Sequence, residues 1–132
     1  MDATESALAA LRNKKLLLLE DEVLIGMDLV DTFEDAGLDV LPLARSVEEG
    51  LKMAASEAID VALLDVSLPD GSGFEVGRVL EDRGIPFAFH SGHVTRSEAQ
   101  ADFPDAGWIA KPAEPDDLIR TVGRLVEDDV SM

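Results

Sequence analysis

Five polar residues stand where apolar runs end, and their types suit one kind of chemistry. Glu20 and Asp21 follow Leu16–Leu19, Asp65 ends the run Val61–Asp65, Ser91 ends Pro86–Ser91, and Lys111 follows Gly107–Ala110. Gathered in one pocket, three carboxylates repel each other, by about 4 kcal/mol for a pair at 4 Å and an effective dielectric near 20. A hard dication relieves that repulsion, and Mg²⁺ prefers a few carboxylates together with water and phosphate oxygens. Beside such an ion Asp65 can attack phosphorus as a carboxylate nucleophile. Lys111 and Mg²⁺ would offset charge on the equatorial oxygens, since phosphoryl transfer depends mainly on positioning and electrostatics. Ser91 would donate its hydroxyl to a phosphoryl oxygen.

Convergence of these residues needs a fold that brings strand ends together. Residues 15–126 repeat a strand-then-helix rhythm five times. The strands are expected at Leu16–Glu20, Leu38–Leu43, Val61–Asp65, Pro86–Ser91 and Gly107–Ala110; continuous apolar runs imply strands covered on both faces. Pro42 cannot donate to a ladder, so the second strand belongs at an edge. The first helix of the rhythm, Val23 to Ala36, carries Val23, Met27 and Val30 in one row with Ile25, Leu29 and Phe33 beside it, and Gly37 follows as a left-handed cap. Ser46 with Glu49 and Ser72 with Glu75 have capping-box spacing. They open helices bearing Leu51, Ala54 and Ala55, and Phe74, Val76, Val79 and Leu80. The last helix starts near Pro115, with Asp116 and Asp117 at its positive end and Leu118, Val122 and Leu125 toward the core.

Such alternation implies a parallel α/β sheet with right-handed crossovers and helices on both faces. Ligands then bind outside the carboxyl ends of the strands at the switch point in strand order. One element is weak: Val94–Phe103 has few apolar residues before Pro104, so the fourth helix should be short, loosely packed or partly disordered. Residues 1–13 form an N-terminal extension to a domain of residues 14–132, with Ala7, Leu8 and Leu11 at helical spacing. It reads equally as a packed helix or as a frayed terminus.

Composition narrows the function classes. The chain has 132 residues, 46% apolar and 30% charged, which suits one folded domain. Its 28 acidic against 11 basic residues give a formal charge of −17, which argues against nucleic acid and anionic membrane as partners. Cysteine is absent, excluding disulfides and thiolate chemistry. The N-terminus lacks the pattern of a signal peptide and no apolar run could span a bilayer, so a cytoplasmic location is expected.

LLLLEDE at the first strand, LLDVSLPDGSG around Asp65, Ser91–Gly92 and Lys111–Pro112 together resemble the receiver domains of two-component response regulators. The resemblance runs over nearly all the chain after residue 14. It implies a flavodoxin-like doubly wound sheet of order 2-1-3-4-5 and phosphorylation of Asp65 by a histidine kinase or a histidine phosphotransferase. It also implies Mg²⁺ held by Asp21, Asp65 and the backbone carbonyl of Ser67, with Glu20 acting through water and Glu22 supplying only helix N-terminal charge. In that family the Lys–Pro bond is commonly cis. Trp108 sits where the family places a switch aromatic, but the bulk of indole favours an anchor over inward rotation. The stretch Phe89–Gly92 is similar to a subgroup of short single-domain regulators with Phe-Ala-Thr-Gly-aromatic, His90, Ser91 and His93 replacing the small residue, threonine and aromatic. His90 and His93 are expected in structural or surface roles, because a two-histidine metal site would need further ligands nearby.

Such a chain is expected to signal by protein contact or to drain phosphoryl groups, as a monomer or weak homodimer, and not to be an enzyme beyond assisting its own phosphotransfer and autodephosphorylation. The alternative is a haloacid-dehalogenase-type phosphatase using Asp65. That class usually carries a second Asp two residues on as general acid, where this chain has Ser67. A flavin-binding relative of the fold would meet its phosphate with Glu20, Asp21 and Glu22, which repel it. A glycine-rich loop ending in Lys-Ser or Lys-Thr is missing, which removes a P-loop nucleotide site.

Overall fold

The computed structural model describes residues 2–92 and 96–130. In chain order the elements are α1 (Ala3–Leu11), β1 (Lys15–Leu19), α2 (Val23–Asp35), β2 (Asp39–Val40), α3 (Val47–Ser56), β3 (Val61–Leu64), β4 (Ser67–Leu68), β5 (Gly71–Ser72), α4 (Gly73–Asp82), β6 (Phe87–Ser91), α5 (Arg96–Asp102), β7 (Gly107–Ala110) and α6 (Pro115–Val130). Five parallel strands form one sheet in the order β2-β1-β3-β6-β7, which is the expected 2-1-3-4-5 arrangement.

The leucine run of β1 explains why the sheet is covered twice. Successive side chains point to opposite faces, so Leu17 and Leu19 enter a core with Val76 and Leu80 of α4, while Leu16 and Leu18 enter a second core with Leu29 and Phe33 of α2 and Val122 of α6. All four leucines are buried. On β6 the same alternation sends Phe87 and Phe89 to the first core and Ala88 to the second.

Several boundaries differ from the sequence expectation for local reasons. The second strand is only Asp39–Val40, since the ladder breaks at Pro42 and resumes as a single bridge between Leu19 and Ala44. It does lie at the edge. On α2 the row Val23 and Met27 faces outward: Val23 is 44% and Met27 57% exposed, with Leu24 beside them at 78%, while Leu29 and Phe33 are buried. Only one stripe of a surface helix meets the sheet. Ala55 is exposed, whereas Val47, Gly50 and Ala54 form the buried side of α3.

The helix after β6 is indeed short: α5 has seven residues, with Ala99 and the following Phe103 buried. Phe103 sits among Phe74, Phe87 and Phe89, with the Arg78 guanidinium 5.3 Å from its ring centre. His93, Val94 and Thr95 lie outside the described residues.

The extension forms a packed helix. Asp2 accepts a hydrogen bond from Glu5 N at 2.8 Å and so caps α1. Ala7 and Leu11 are buried against α6, where a Cβ on Gly123 would come 2.5 Å from Ala7 Cβ. The Ser6 hydroxyl donates to Glu127 Oε1 at 2.7 Å.

Candidate functional site

The site lies at the carboxyl ends of β1, β3, β6 and β7. Glu20 leaves β1 almost fully buried, 1% exposed, because Glu20 N continues the ladder to Ala44 O at 2.9 Å and holds the residue at the sheet. Asp65 is 7% exposed, and its backbone N donates to Leu19 O at 2.9 Å. Lys111 N donates to Ser91 O at 3.1 Å, which ties the ends of β6 and β7 together. Its peptide bond to Pro112 is cis.

The side chains meet as the strand ends suggested. Lys111 Nζ donates to Glu20 Oε1 at 2.8 Å and to Asp65 Oδ2 at 3.2 Å. Asp65 Oδ1 accepts from Val66 N at 2.8 Å, and Glu20 Oε2 accepts from Glu22 N at 3.2 Å. Glu20, Asp21 and Asp65 each offer a carboxylate oxygen, and these oxygens lie within 4.8 Å of one another. Asp21 is half-buried at the rim.

Electrostatics follow from this packing. Burial raises Glu20 above the usual carboxylate range, and the Asp65 charge adds to the rise, while the Lys111 hydrogen bond opposes it. For Lys111, burial alone would lower the pKa, but the Glu20 hydrogen bond and the charges of Asp65 and Glu20 outweigh it and the value is raised. One ammonium therefore serves two buried carboxylates. That donor set fits a hard dication: all oxygen, strongly negative, with Asp21 open to water at the rim.

The remaining expected residues take distinct positions. Ser91 is buried at the end of β6, and Gly92 follows it exposed, with room for a Cβ only in ordinary contact with Lys111 Cβ at 3.6 Å. Ser67 is exposed in a short antiparallel ribbon formed by β4 and β5. Trp108 is half-buried on β7, its ring centre 6.5 Å from that of Phe89. Glu22 is the N-cap residue of α2, exposed and without a side-chain capping bond.

Three further residues bear on the site, and Asp70 among them escaped sequence reasoning. Asp70, in the turn of the ribbon, accepts from Val47 N at 2.8 Å and Glu48 N at 3.1 Å, capping α3 from 23 residues away. Those amide hydrogen bonds lower its pKa. Gly73 is required by proximity: a Cβ there would land on the Asp65 carbonyl oxygen and 2.9 Å from its carbonyl carbon. The full capping box of Ser72 and Glu75 fixes this junction. His90 proves to be buried, 5% exposed, with Nε2 lacking any hydrogen-bond partner among the described residues. Burial, then the Lys111 charge, lowers its pKa to about 4 despite the opposing charge of Asp65.

Comparison with known proteins gives a consistent result. The family model for the response regulator receiver domain matches residues 16–123. The phyllosphere-induced regulator PhyR of Methylorubrum extorquens is 32% identical over 129 residues, covering 96% of this chain and 48% of the relative. The transcriptional regulatory protein PdtaR of Mycobacterium tuberculosis is 25% identical over 112 residues, covering 83% of this chain and 55% of that protein. The chain thus spans about half the length of these relatives. Among solved structures, a response regulator receiver protein of Sinorhizobium medicae superposes with a TM-score of 0.80 at 29% identity, covering 89% of this chain and 97% of the other. The response regulator PhyR of Brucella abortus gives 0.82 at 25% identity, covering 96% and 53%.

Proposed function

We propose that this chain, which belongs to the response regulator receiver family, takes a phosphoryl group onto Asp65 from a phosphohistidine donor. The observation that carries the reading is the contact of Lys111 with both Glu20 and Asp65 at the strand ends. An Asp65 carboxylate oxygen forms the new O–P bond as the P–N bond to the donor imidazole breaks, and the electron pair returns to that nitrogen, which is then protonated. Lys111 is already placed to neutralise charge that develops beside Asp65, and the Val66 amide fixes the orientation of the carboxylate. The Ser91 hydroxyl donates to the phosphoryl oxygen once it arrives. Asp21, Asp65 and the Ser67 carbonyl would hold Mg²⁺, and Glu20 would act on it through water. The ion, when bound, supplies a positive charge to the transferring group.

A protein donor has an apolar landing next to the site. Val23, Leu24 and Met27 are exposed on α2, which begins directly after the acidic residues that follow β1. Large exposed apolar side chains grouped in this way suit protein contact. The phosphorylated domain then acts through a partner protein or as a store that drains phosphoryl groups.

The test is intact-mass measurement after incubation with a small phosphodonor and Mg²⁺, comparing the natural chain with Asp65→Asn. One phosphoryl adduct is expected on the natural chain, none on the variant, and none when Mg²⁺ is chelated. Equal adducts on both proteins would move the nucleophile elsewhere. Steady turnover of phosphate esters would favour the hydrolase reading instead.

A further inference from the structure

A second concavity opens on the opposite face of the sheet from α3 and α4, between α2 and the segment that leads into α6. Its volume is about 690 Å³, within the usual range of small-ligand pockets. Ile25, Leu29 and Leu118 give it apolar walls. Along α2, Asp28, Asp31 and Asp35 also line it, at the spacing that places residues on one side of a helix. None of these three carboxylates forms an ion pair among the described residues.

The inner wall includes His90, 95% removed from solvent by its 5% exposure, with Nε2 unpaired. A buried polar atom without a partner is costly, about 1–3 kcal/mol, and calls for an explanation. Lys111 borders the cavity too, but its ammonium is engaged by Glu20 and Asp65.

From this combination we infer that the cleft between α2 and α6 binds a small organic cation with an apolar body. The hydrocarbon part lies between Leu29 and Leu118, the positive group faces the aspartates of α2, and His90 supplies the hydrogen-bonding group of the inner wall. An anion is rejected by the same three carboxylates. A neutral ligand of the same shape keeps the apolar contacts and loses the electrostatic attraction.

The test uses three compounds on one carbon frame: 2-phenylethylamine, 2-phenylethanol and 3-phenylpropionate. Each is titrated into the full chain while the His90 ring and the Leu29 and Leu118 methyls are followed by NMR. The amine should shift all three sets saturably and bind at least about tenfold more tightly than the alcohol, with the carboxylate weakest. Asp28→Asn with Asp31→Asn should bring the amine down to the alcohol's affinity and leave the alcohol unchanged. Equal binding of amine and alcohol, or no shift at His90, would overturn the assignment. So would amine-induced shifts confined to residues around Glu20 and Asp65, since these would put the cation in the acidic site.

Discussion

The buried imidazole of His90 should make folding stability depend on pH in a window where most carboxylates stay ionised. Its pKa falls from the ordinary 6.5 to about 4 in the folded chain, mainly because burial disfavours the cation. A depressed folded pKa means that the unfolded chain binds the proton more readily between those values. Stability from this group is therefore fully present above about pH 6.5 and is lost as pH falls toward 4. The gap corresponds to about 3 kcal/mol. For a chain of this length that is a fall of roughly 10 °C in midpoint.

Two other groups bend the profile, with opposite signs. Glu20, raised above 4.5, contributes stability at low pH that fades as pH rises through its folded value. Asp70, lowered below 3.8, contributes above its unfolded value and loses that contribution in stronger acid. The comparison that isolates His90 is urea unfolding of the natural chain against His90→Leu at pH 7, 6, 5 and 4.5. The difference between the two should shift toward the variant by most of that 3 kcal/mol across the series. At pH 7 the variant should be at least as stable, because it deletes an unpaired buried nitrogen. Parallel profiles for both proteins would refute the burial argument.

Other consequences are as direct. Gly73→Ala should cost about 2–3 kcal/mol in urea unfolding, because the obstructing atom is the Asp65 backbone and no side-chain rotation relieves it. Gly84→Ala, at φ +73° with nothing within 4 Å, should cost only about 1 kcal/mol; similar losses for the two would remove the steric explanation. Leu24→Glu combined with Met27→Glu should slow phosphotransfer from a protein donor by roughly tenfold or more while leaving a small phosphodonor unaffected. Equal slowing with both donors would mean that the change had reached Asp65 itself. Lys111→Met should reduce the initial rate of adduct formation by about a hundredfold, read by mass, since it removes the fixed positive charge beside Asp65.

Strand ends were legible because they combine two signals, an apolar run and a polar residue that terminates it. Leu16–Leu19 followed by Glu20 and Asp21 is such a case, and the structure places both acids with Asp65 as that pattern implied. The Ser72–Glu75 box was legible because its partners are three residues apart. What stayed hidden was set by distant partners. Asp70 caps a helix that precedes it by 23 residues, and nothing local in Pro69–Asp70–Gly71 points there. The orientation of α2 is hidden for a related reason: periodicity groups Val23 with Met27 and Leu29 with Phe33, but only the sheet's position decides which of two apolar rows is covered. His90 stands between Phe89 and Ser91, and the alternation of β6 could have put it on the Ala88 side, although burial without a partner is not visible in sequence.

The seating of α1 on α6 has a consequence for the order in which a newly made chain can acquire its shape. Ser6 and Glu127 are joined across 121 residues, and Ala7 fits against Gly123. While the ribosome is still making the intervening strands, the apolar side of α1 has no surface to close upon. Nine residues are too few to hold a helix unaided in water. Helix α1 must therefore wait, exposed to proteases and chaperones, until α6 has emerged and docked, so a helix made before the sheet is protected only after it.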